Sequence, residues 1–583
     1  MATPGIQNVK DPFFTYRLHS RSQEFETPRI SDALGDRIGE ARTIQAPERI
    51  SDPENAARFH LNQLFGQETE MPLRTLLAED RPQVLPDLNL RDVLELPRTE
   101  TLLVRFRQTH RSVPIFGSNA VVEIEPSGGF VSVSASLTPP PEIPVIATIT
   151  VEDALRSIGN MTDCRIENLR DKVSPPVQRL LFRRESGDWH LVYVFSRVPA
   201  VPQEVLAELG EVRNQSSGMD LAGRMVISSY EYFVDANSGD VLLYYSSDPQ
   251  FASTGRPMPP PTQLDGYDED GVLHTMDGTS LGSEYELSDP LRKIKTFDMG
   301  FKDARPSNLP ANALRSMSTR IGLSAAVSAH VNATKVWKFY NNVLSRQGID
   351  GKGMELVSVV NCLDARRQPP PEWKNAAWNT GRMWYGQVKD NGGKLRSYSR
   401  YLDIIAHELT HGVTESTAGL IYKNQSGALD ESISDIFGVI VSNHGKNPTS
   451  VSGWNWEIGS GLGVGGGPLR NFSDPTLTSD PDHMNNYANT SRDSGGVHTN
   501  SNIHNKAAYH ILTKVDSSGA AAFPPEELAL LYYLAITRLA QTAGFADMRD
   551  ALEDVVTTRY ANPVQQQQRI ADVRDAYSKV GVT

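Results

Sequence analysis

Two histidines four residues apart, His407 and His411, enclose a glutamate, Glu408, in the segment YLDIIAHELTHGVTE. Residues four positions apart lie on one face of an α-helix, about a turn apart, so both imidazoles can reach one metal ion. Glu408 can then act as a general base on a water molecule at that ion. The pattern predicts a helix with two metal ligands and a base; a helix with two unrelated surface histidines is the alternative.

The following segment, GALDESISDIFGVIVSN (Gly427–Asn443), supplies a third candidate ligand. It has apolar residues at helical spacing after an acid typical of a helix N-terminus, and Glu431 is expected in its first turn. Two histidines and a glutamate leave one position of a zinc ion open, as in catalytic sites. Asp435, four residues after Glu431, can accept the second N–H of a bound histidine. Either acid alone is more typical of a solvated helix face, but their joint spacing favours a metal site.

A third polar segment, DSGGVHTNSNIHNKAAYH (Asp493–His510), contains two candidate histidines. His498 follows two glycines, which suits a tight turn that enters a cleft, and Asp493 can orient its ring. A protonated imidazole there can stabilise the oxyanion of a tetrahedral intermediate. A single histidine is more often structural, and His504 competes for this role six residues later. The residues themselves leave this choice open.

Composition and charge limit the other classes of function. The chain has 583 residues and a net charge of −13, which argues against nucleic-acid binding. The apolar run Leu528–Ile536 covers only nine residues, whereas a membrane span needs about 20, so no membrane association is expected. Cys164 and Cys362 are expected to be free thiols in different domains. The start, MATPGIQNVKDPFF, lacks a basic stretch followed by an apolar one, so no ordinary secretion signal is expected.

The upstream part of the chain divides into several segments. Residues 1–54 are polar and are expected to form a loosely ordered arm. The segment 55–140 contains alternating apolar and polar residues typical of a β-hairpin, followed by a further strand. The segment 145–250 combines a helix at Val151–Gly159 with later strands. Residues 251–266 are rich in proline and predict an exposed linker, where proteolytic cleavage is easiest.

From about residue 265 onward, the chain resembles the thermolysin family of zinc metalloendopeptidases. The resemblance rests on the order and spacing of six motifs, NAAWNTGRMWYG, DIIAHELTHGVTE, AGLIYKNQSGALDESISDIFG, LRNFSDP, GGVHTNSNIHNKAAYH and DAYSKVGV. It implies that His407, His411 and Glu431 bind one zinc ion and that Glu408 activates water for peptide hydrolysis.

The same resemblance implies roles for residues around the ion. Tyr422 and His498 would stabilise the oxyanion, Asp493 would support His498, and Asp435 would support His407. Positions that match the family's substrate contacts are Asn375, Ala376 and Arg470, and those that match its pocket for the residue after the scissile bond are Ile404, Ile458 and Leu469. The three pocket residues are apolar, so cleavage before Leu, Ile, Phe or Val is expected; the alternative is that they are plain core residues.

The implied fold is α+β with a two-lobed catalytic domain. A β-rich lobe and the zinc helix would occupy 267–418, and a mainly helical lobe would occupy 419–583. Upstream, 55–140 resembles the propeptide module shared with fungalysins, and 145–250 resembles a PepSY module. In that family the prosegment assists folding and inhibits the protease until it is cut away, so a zymogen is expected. We also expect an extracellular monomer that acts on proteins or peptides.

Calcium binding is where the chain departs most from the family. The family's paired calcium site is rich in carboxylates, whereas only Asp403 and Glu457 match acidic positions here. Asn455, Ser442 and Ser460 occupy other positions of that site. Calcium prefers several anionic oxygens. A double site is therefore not expected, and one weak calcium ion is the most that these residues predict.

Two other functions compete with an active, broadly acting protease. One is a catalytically silent protein that uses the same fold to bind a partner. The other is a zinc enzyme that acts on a single partner or only on its own prosegment. Every catalytic position of the family is filled in this sequence, which favours the active enzyme.

Overall fold

The computed structural model describes residues 13–20, 52–65, 87–139, 141–170, 172–183, 186–205, 229–247, 260–364, 370–379, 381–390, 392–446 and 451–583. The chain forms two compact units. The first comprises Met1–Ser196, Tyr232–Tyr244 and Asp550–Ile570. The second comprises Arg197–Glu231, Tyr245–Arg549 and Ala571–Thr583.

The N-terminal half of the chain builds one nine-stranded sheet. Its strands lie in the order β1-β5-β4-β6-β7-β8-β9, with β3 on β4 and β2 on β3. Their bounds are β1 (Phe14–His19), β2 (Asp87–Leu96), β3 (Thr101–His110), β4 (Val113–Ile124), β5 (Phe130–Leu137), β6 (Val177–Arg183), β7 (Asp188–Val198), β8 (Ser229–Asp235) and β9 (Val241–Ser247). Among the described residues of this half, the helices are α1 (Pro53–Phe65), α2 (Val151–Thr162) and α3 (Ile166–Arg170), and 203–205 are also helical.

The β3–β4 hairpin shows why this sheet forms. The two strands alternate apolar and polar residues, and the turn between them consists of Arg111 and Ser112, both with positive φ. Such a left-handed two-residue turn matches the twist of the paired strands. The apolar face packs against α1 in one core that includes Leu61, Phe106 and Val122.

Further along the chain, two sheets precede a mainly helical region. A five-stranded sheet has the order β15-β12-β11-β10-β16, and a six-stranded sheet has the order β13-β14-β17-β19-β18 with β20 on β19. The bounds are β10 (Thr262–Tyr267), β11 (Leu273–Ser280), β12 (Tyr285–Glu286), β13 (Ser288–Asp289), β14 (Ile294–Asp303), β15 (Arg315–Ser316), β16 (Arg320–Ile321), β17 (Leu356–Leu363), β18 (Trp373–Asn379), β19 (Arg382–Lys389) and β20 (Leu395–Ser397). A short pair, β21 (Glu457–Ile458) and β22 (Arg470–Asn471), lies later in the chain.

Seven helices complete the described part of the chain beyond β16, apart from short 3-10 turns. They are α4 (Ser324–Leu344), α5 (Leu402–Ser416), α6 (Asn424–Asn443), α7 (Asp493–Leu512), α8 (Pro525–Ile536), α9 (Phe545–Arg559) and α10 (Pro563–Ser578). Helix α4 packs against β14 and β17, and α6 packs against both α5 and α7. The predicted α+β class is confirmed, with strands concentrated in the first part of this region and helices in the second.

Two expectations about irregular segments were wrong in part. Phe14–His19, within the predicted arm, forms a strand that pairs with β5 over all six of its residues. The sheet edge satisfies its backbone groups and Leu18 enters the core, so its polar side chains do not prevent a strand. Thr262–Gly266, at the end of the predicted linker, belongs to β10 and pairs with β11. The remainder of the arm up to residue 51, apart from 13–20, and the linker up to residue 259 lie outside the described residues.

Helix α6 begins earlier than the sequence suggests. It starts at Asn424, so Glu431 lies two turns inside the helix, and Asp430 does not cap it. Tertiary contacts explain the longer helix: Ser426 Oγ donates to the carbonyl of Gln541, and Gln425 Oε1 accepts from the N–H of Phe545. Both cysteines are free, and Cys362 is buried. None of the helices that the structure describes is long and apolar enough to cross a membrane.

Candidate metal centre and active site

Helix α5 carries the two histidines and packs closely on the strand β18. At Gly412 a Cβ atom would lie 2.5 Å from Ile349 Cγ2 and 2.9 Å from Trp378 Cε2, so only glycine allows this approach. The preceding turns of the helix are anchored by buried apolar residues such as Ile405 and Leu409. This packing fixes the direction in which His407 and His411 project.

Three predicted ligands converge on one point. His407 Nε2 and His411 Nε2 are 3.1 Å apart. Glu431 Oε2 lies 3.5 Å from His407 Nε2, and Glu431 Oε1 lies 3.4 Å from His411 Nε2. Within the described ranges, these three form the only group of three or more His, Cys, Asp or Glu side chains close enough to hold one metal ion. Glu431 Oε2 is buried without a hydrogen-bond partner, as expected for an atom whose partner is an ion.

The outer nitrogens of both histidines are held by oxygen atoms. His407 Nδ1 lies 2.8 Å from Asp435 Oδ1, a buried carboxylate. His411 Nδ1 lies 3.2 Å from Ser434 Oγ and 3.4 Å from Asp430 Oδ1. Proton donation from Nδ1 to these acceptors leaves each Nε2 lone pair free for a metal ion. The donor set therefore fits a zinc ion with two nitrogen ligands and one oxygen ligand.

The electrostatic field at this point is strongly negative. Burial lowers the pKa of His411, but the carboxylates of Asp430 and Glu431 outweigh burial and raise that pKa to about 10. Burial would raise the pKa of Glu431, yet the imidazoles of His498, His411 and His407 together lower it far below its usual range. A field that favours a proton on His411 also favours a metal cation in the same place.

Glu408 lies on the same helix, next to His407, and is half-buried. Its Oε2 atom accepts a hydrogen bond of 2.8 Å from the backbone N–H of Trp378 on β18. This bond orients the carboxylate, and its position beside the convergence point suits a general base.

Tyr422 and His498 close the other side of the convergence point. The Tyr422 hydroxyl donates to Glu431 Oε1 and lies 3.3 Å from His498 Nε2. His498 Nδ1 lies 2.8 Å from Asp493 Oδ1, and its backbone N–H donates to Asp493 Oδ2. Burial lowers the pKa of His498, but Asp493 and Glu431 raise it to about 9, so its imidazole carries a proton at neutral pH.

The turn before His498 depends on its two glycines. Gly495 and Gly496 have φ values of 94° and 71°. A Cβ atom on Gly495 would lie 2.1 Å from Asn424 Oδ1. The two glycines therefore let the chain pass the start of α6, where a side chain at position 495 would collide, and so bring His498 into place.

Arg470 lies beside the metal centre with one donor free. Its Nε and Nη2 atoms each donate a 2.5 Å hydrogen bond to the carboxylate of Asp435. Its Nη1 atom is buried and has no partner among the described residues. A buried guanidinium with a free N–H is suited to hold a carbonyl oxygen of a bound peptide.

The predicted substrate contacts lie on the elements around this centre. Asn375 and Ala376 lie on β18, the strand whose Trp378 N–H binds Glu408. Ile404, Ile458 and Leu469 are all buried. The Leu469 N–H donates to the carbonyl of Ile458, which brings these two together, while Ile404 lies on α5 one turn before His407.

The predicted calcium ligands are bonded to protein groups. Asp403 Oδ2 accepts from the Gly459 N–H at 2.7 Å, and burial raises the pKa of this carboxyl. Glu457 Oε2 accepts from Ser460 Oγ at 2.5 Å, and Asn455 Nδ2 donates to Ser460 Oγ. In the described part of the chain, Asp403 and Glu457 do not join a third acid or histidine in an ion-sized group.

Several contacts at the centre were not foreseen from the sequence. Ser434 Oγ lies 3.2 Å from His411 Nδ1, and Asn505 Nδ2 donates to Asp435 Oδ2. Ser434 lies three residues after Glu431, so helical spacing could have indicated it. The Trp378 N–H on Glu408 has no signal in the sequence, because every residue except proline has such a group.

Comparisons with known proteins find similar sequences over most of this chain. The family model "Thermolysin metallopeptidase, catalytic domain" matches residues 263–415, and "Thermolysin metallopeptidase, alpha-helical domain" matches residues 418–582. A bacillolysin of Brevibacillus brevis is 29% identical over 504 residues, which cover 83% of each chain. A bacillolysin of Bacillus cereus is 28% identical over 93% of each chain. A bacillolysin of Bacillus subtilis subsp. amylosacchariticus is 32% identical over 64% of this chain and 67% of its own.

Proposed function

Because this chain belongs to the thermolysin family of metallopeptidases, we propose that it is a zinc-dependent endopeptidase with His407, His411 and Glu431 as its metal ligands. The convergence of their three ligand atoms within 4.8 Å of one another is the observation that carries this proposal. When bound, a zinc ion would polarise the scissile carbonyl and lower the pKa of a water molecule.

The protein's own groups perform the proton transfers. Glu408 accepts the proton of the attacking water and later delivers it to the amine of the leaving peptide. The 2.8 Å bond from the Trp378 N–H supports this role, because it holds the carboxylate through Oε2 and leaves Oε1 to accept the proton.

Tyr422 and His498 stabilise the negative charge that develops on the carbonyl oxygen. Their polar atoms lie 3.3 Å apart, so one oxygen atom can contact both. Asp493 supports this role, since its carboxylate favours the protonated form of His498. Asp435 holds the ring of His407 and is itself fixed by Arg470.

The substrate is an extended peptide that Asn375, the backbone of Ala376 and Arg470 hold by hydrogen bonds. Ile404, Ile458 and Leu469 form the pocket for the residue after the scissile bond, so cleavage occurs before Leu, Ile, Phe or Val. A digest of an unfolded protein, with cut sites identified by mass spectrometry, tests this preference. Cuts mainly beside charged residues would show that these three residues are plain core.

The residues before the catalytic domain form a prosegment that acts as intramolecular chaperone and inhibitor. Its modules occupy 55–140 and 145–250 after the arm 1–54, and the linker 251–266 is the processing region. The catalytic lobes occupy 267–418 and 419–583. The mature enzyme works outside the cell as a monomer, and it contacts neither nucleic acid nor a membrane.

One weak calcium ion binds near Asp403 and Glu457, with Asn455 as a further ligand. The two carboxylates support this part of the proposal, and their hydrogen bonds to protein donors explain why the affinity is low.

An intact-mass time course of the full chain with zinc, beside Glu408→Ala, tests the function. We expect the native chain alone to lose about its first 250–265 residues, which would also locate the cut. If both chains stay whole, light tryptic cleavage of the linker followed by a peptide assay separates an enzyme that needs another protease from a silent protein. Equal loss from both chains would point to a contaminating protease.

A further inference from the structure

His504 is a fully buried histidine that the proposed mechanism does not use. It lies on α7, six residues after His498, and its side chain has an exposed fraction of 0%. Its ring stacks on Phe545 with 5.4 Å between ring centres and contacts the rings of Tyr532 and Tyr577. An aromatic or aliphatic side chain would suit such surroundings, so a histidine here needs a reason.

The reason lies in the hydrogen bonds of its two ring nitrogens. His504 Nδ1 lies 2.7 Å from Ser432 Oγ, and His504 Nε2 lies 2.7 Å from the hydroxyl of Tyr577 on α10. Ser432 Oγ also donates to Asn505 Oδ1 at 2.6 Å. Asn505 Nδ2 donates to Asp435 Oδ2 at 2.8 Å. A continuous series of hydrogen bonds therefore leads from Tyr577 on the last helix, α10, to Asp435.

The donor and the acceptor of every hydrogen bond in this series are fixed. Ser432 has one hydroxyl proton, which goes to Asn505 Oδ1, so its oxygen must accept a proton from His504 Nδ1. His504 Nε2 then carries no proton and accepts from the Tyr577 hydroxyl. Burial lowers the pKa of His504 to about 3, so the ring is neutral near neutral pH and this arrangement holds.

This series of hydrogen bonds ends at Asp435, which contacts the proposed metal ligand His407. Asp435 Oδ1 lies 2.8 Å from His407 Nδ1, and Asp435 accepts two further bonds from Arg470. The rotation of this carboxylate sets the orientation of the His407 ring. Asn505 and Arg470 both donate to Asp435 Oδ2, so a shift of Asn505 changes how this carboxylate is held.

We propose that His504 is a positioning residue of the metal centre, which acts through Ser432 and Asn505 on Asp435 and thereby on His407. This inference rests on the proposed function, since it requires His407 to bind the zinc ion. It also gives Tyr577, on the C-terminal helix α10, an indirect part in holding the ion. A purely structural role in core packing is the competing explanation.

His330 offers a matched control for core packing. It is also buried, at 1% exposure, and burial lowers its pKa to about 4. Its Nδ1 lies 2.9 Å from Thr296 Oγ1, and its Nε2 lies 3.2 Å from the carbonyl of Asp277. It resembles His504 in burial, charge and number of partners, but none of these partners contacts a proposed metal ligand.

The test measures the rate of zinc loss from the full chain to a chromophoric chelator, together with the urea midpoint of unfolding. We compare wild type with His504→Leu, Tyr577→Phe and the control His330→Leu. Removing a group that supports a metal ligand typically weakens metal binding by about 10–100-fold. Because His504 acts through two intermediate residues, we expect roughly threefold to tenfold faster zinc loss for His504→Leu and a smaller rise for Tyr577→Phe.

The control and a rescue separate positioning from packing. His330→Leu should lower the urea midpoint without faster zinc loss. His504→Asn, whose amide can still donate to Ser432, should restore most of the wild-type rate. If His504→Leu and Tyr577→Phe lose zinc no faster than His330→Leu, the inference is wrong and His504 is a core residue. Tyr577→Phe removes one oxygen atom and decides the question if His504→Leu does not fold.

His411→Ala, measured in the same series, distinguishes the two failures. If it binds zinc as wild type does, the proposed ligand set itself is wrong. If it lacks zinc while His504→Leu behaves as wild type, only the role of His504 is refuted.

Discussion

His498 and His504 are two histidines on one helix, six residues apart, with opposite electrostatic surroundings. His498 faces the carboxylates of Asp493 and Glu431, and its pKa rises to about 9. His504 faces a serine, a tyrosine and aromatic rings, and burial lowers its pKa to about 3. His504 is fully buried and the side chain of His498 is only 17% exposed. The carboxylates that face His498 are therefore the main reason why this histidine, and not His504, can carry charge and take part in chemistry.

We expect catalysis to depend on the carboxylate-rich surroundings of the metal centre. Substitution of Glu408 should cause the largest loss of activity. We expect Glu408→Ala to lower kcat/KM by roughly two to four orders of magnitude, because the general base is lost. Zinc content should stay at the wild-type level, since Glu408 is not among the converging ligands. A peptide assay and metal analysis on the same sample check both statements. Retained activity would remove Glu408 from the mechanism.

The ligand His411 should matter for both metal and fold. His411→Ala is expected to lose zinc and to melt at a lower temperature, because metal binding is coupled to folding and the carboxylates of Asp430 and Glu431 lose a partner. Metal analysis and thermal unfolding of the full chain provide the measurements. Wild-type values for both would count against ligation by His411.

His498 should contribute to catalysis more than Asp493 does. Removing one oxyanion donor costs about 10²–10³ in kcat, which is our expectation for His498→Gln. Asp493→Asn should cost about tenfold, because it only weakens the charge and orientation of the ring. Steady-state kinetics with a peptide substrate tests the order of these effects. A larger loss for Asp493→Asn would mean that the roles are misassigned.

The two histidines should give opposite pH dependences of stability in the metal-free protein. His504 has a folded-state pKa of about 3, below its unfolded value near 6.5, so its contribution is full above pH 6.5 and is lost as the pH falls toward 3. His498 has a raised pKa, so its contribution is full below pH 6.5 and is lost as the pH rises through 9. Each slope is at most about 1.4 kcal/mol per pH unit.

Urea unfolding with excess chelator, at pH 5, 6.5 and 8.5, measures these slopes. His504→Leu should flatten the loss of stability on the acid side, and His498→Leu should flatten the loss on the alkaline side. Equal pH profiles for the two variants would show that their surroundings do not differ as the structure indicates.

Calcium should have the smallest effect on stability, because the carboxylates of Asp403 and Glu457 accept hydrogen bonds from protein donors. We expect millimolar calcium to raise the Tm of the wild type by no more than about one degree, as for a ligand present near its Kd. Asp403→Asn should abolish this rise. A much larger rise in the wild type would show a stronger calcium site than these residues predict.

The structure brings together the residues of the centre that helical spacing in the sequence indicated. His407, His411, Glu431 and Asp435 lie together because their positions repeat on two helix faces that pack against each other. The start of α6 was misjudged, since contacts with Gln541 and Phe545, more than 100 residues away, extend that helix.

Contacts that depend on distant parts of the chain stayed out of reach. The residues alone left the choice between His498 and His504 open, because it depends on Glu431, which another helix brings to His498. The link from His504 to Tyr577 joins residues that are 73 positions apart. The strand Phe14–His19 was missed because its partner, β5, lies more than 100 residues later. Pairing of this kind leaves no local pattern.

Anomalous diffraction from crystals of the zinc-loaded Glu408→Ala chain, recorded on both sides of the zinc absorption edge, tests the central claim most directly. We predict one strong peak above the edge, absent below it, between His407 Nε2, His411 Nε2 and the carboxylate of Glu431. No peak there, or a zinc peak held by other residues, would contradict the assignment of this site.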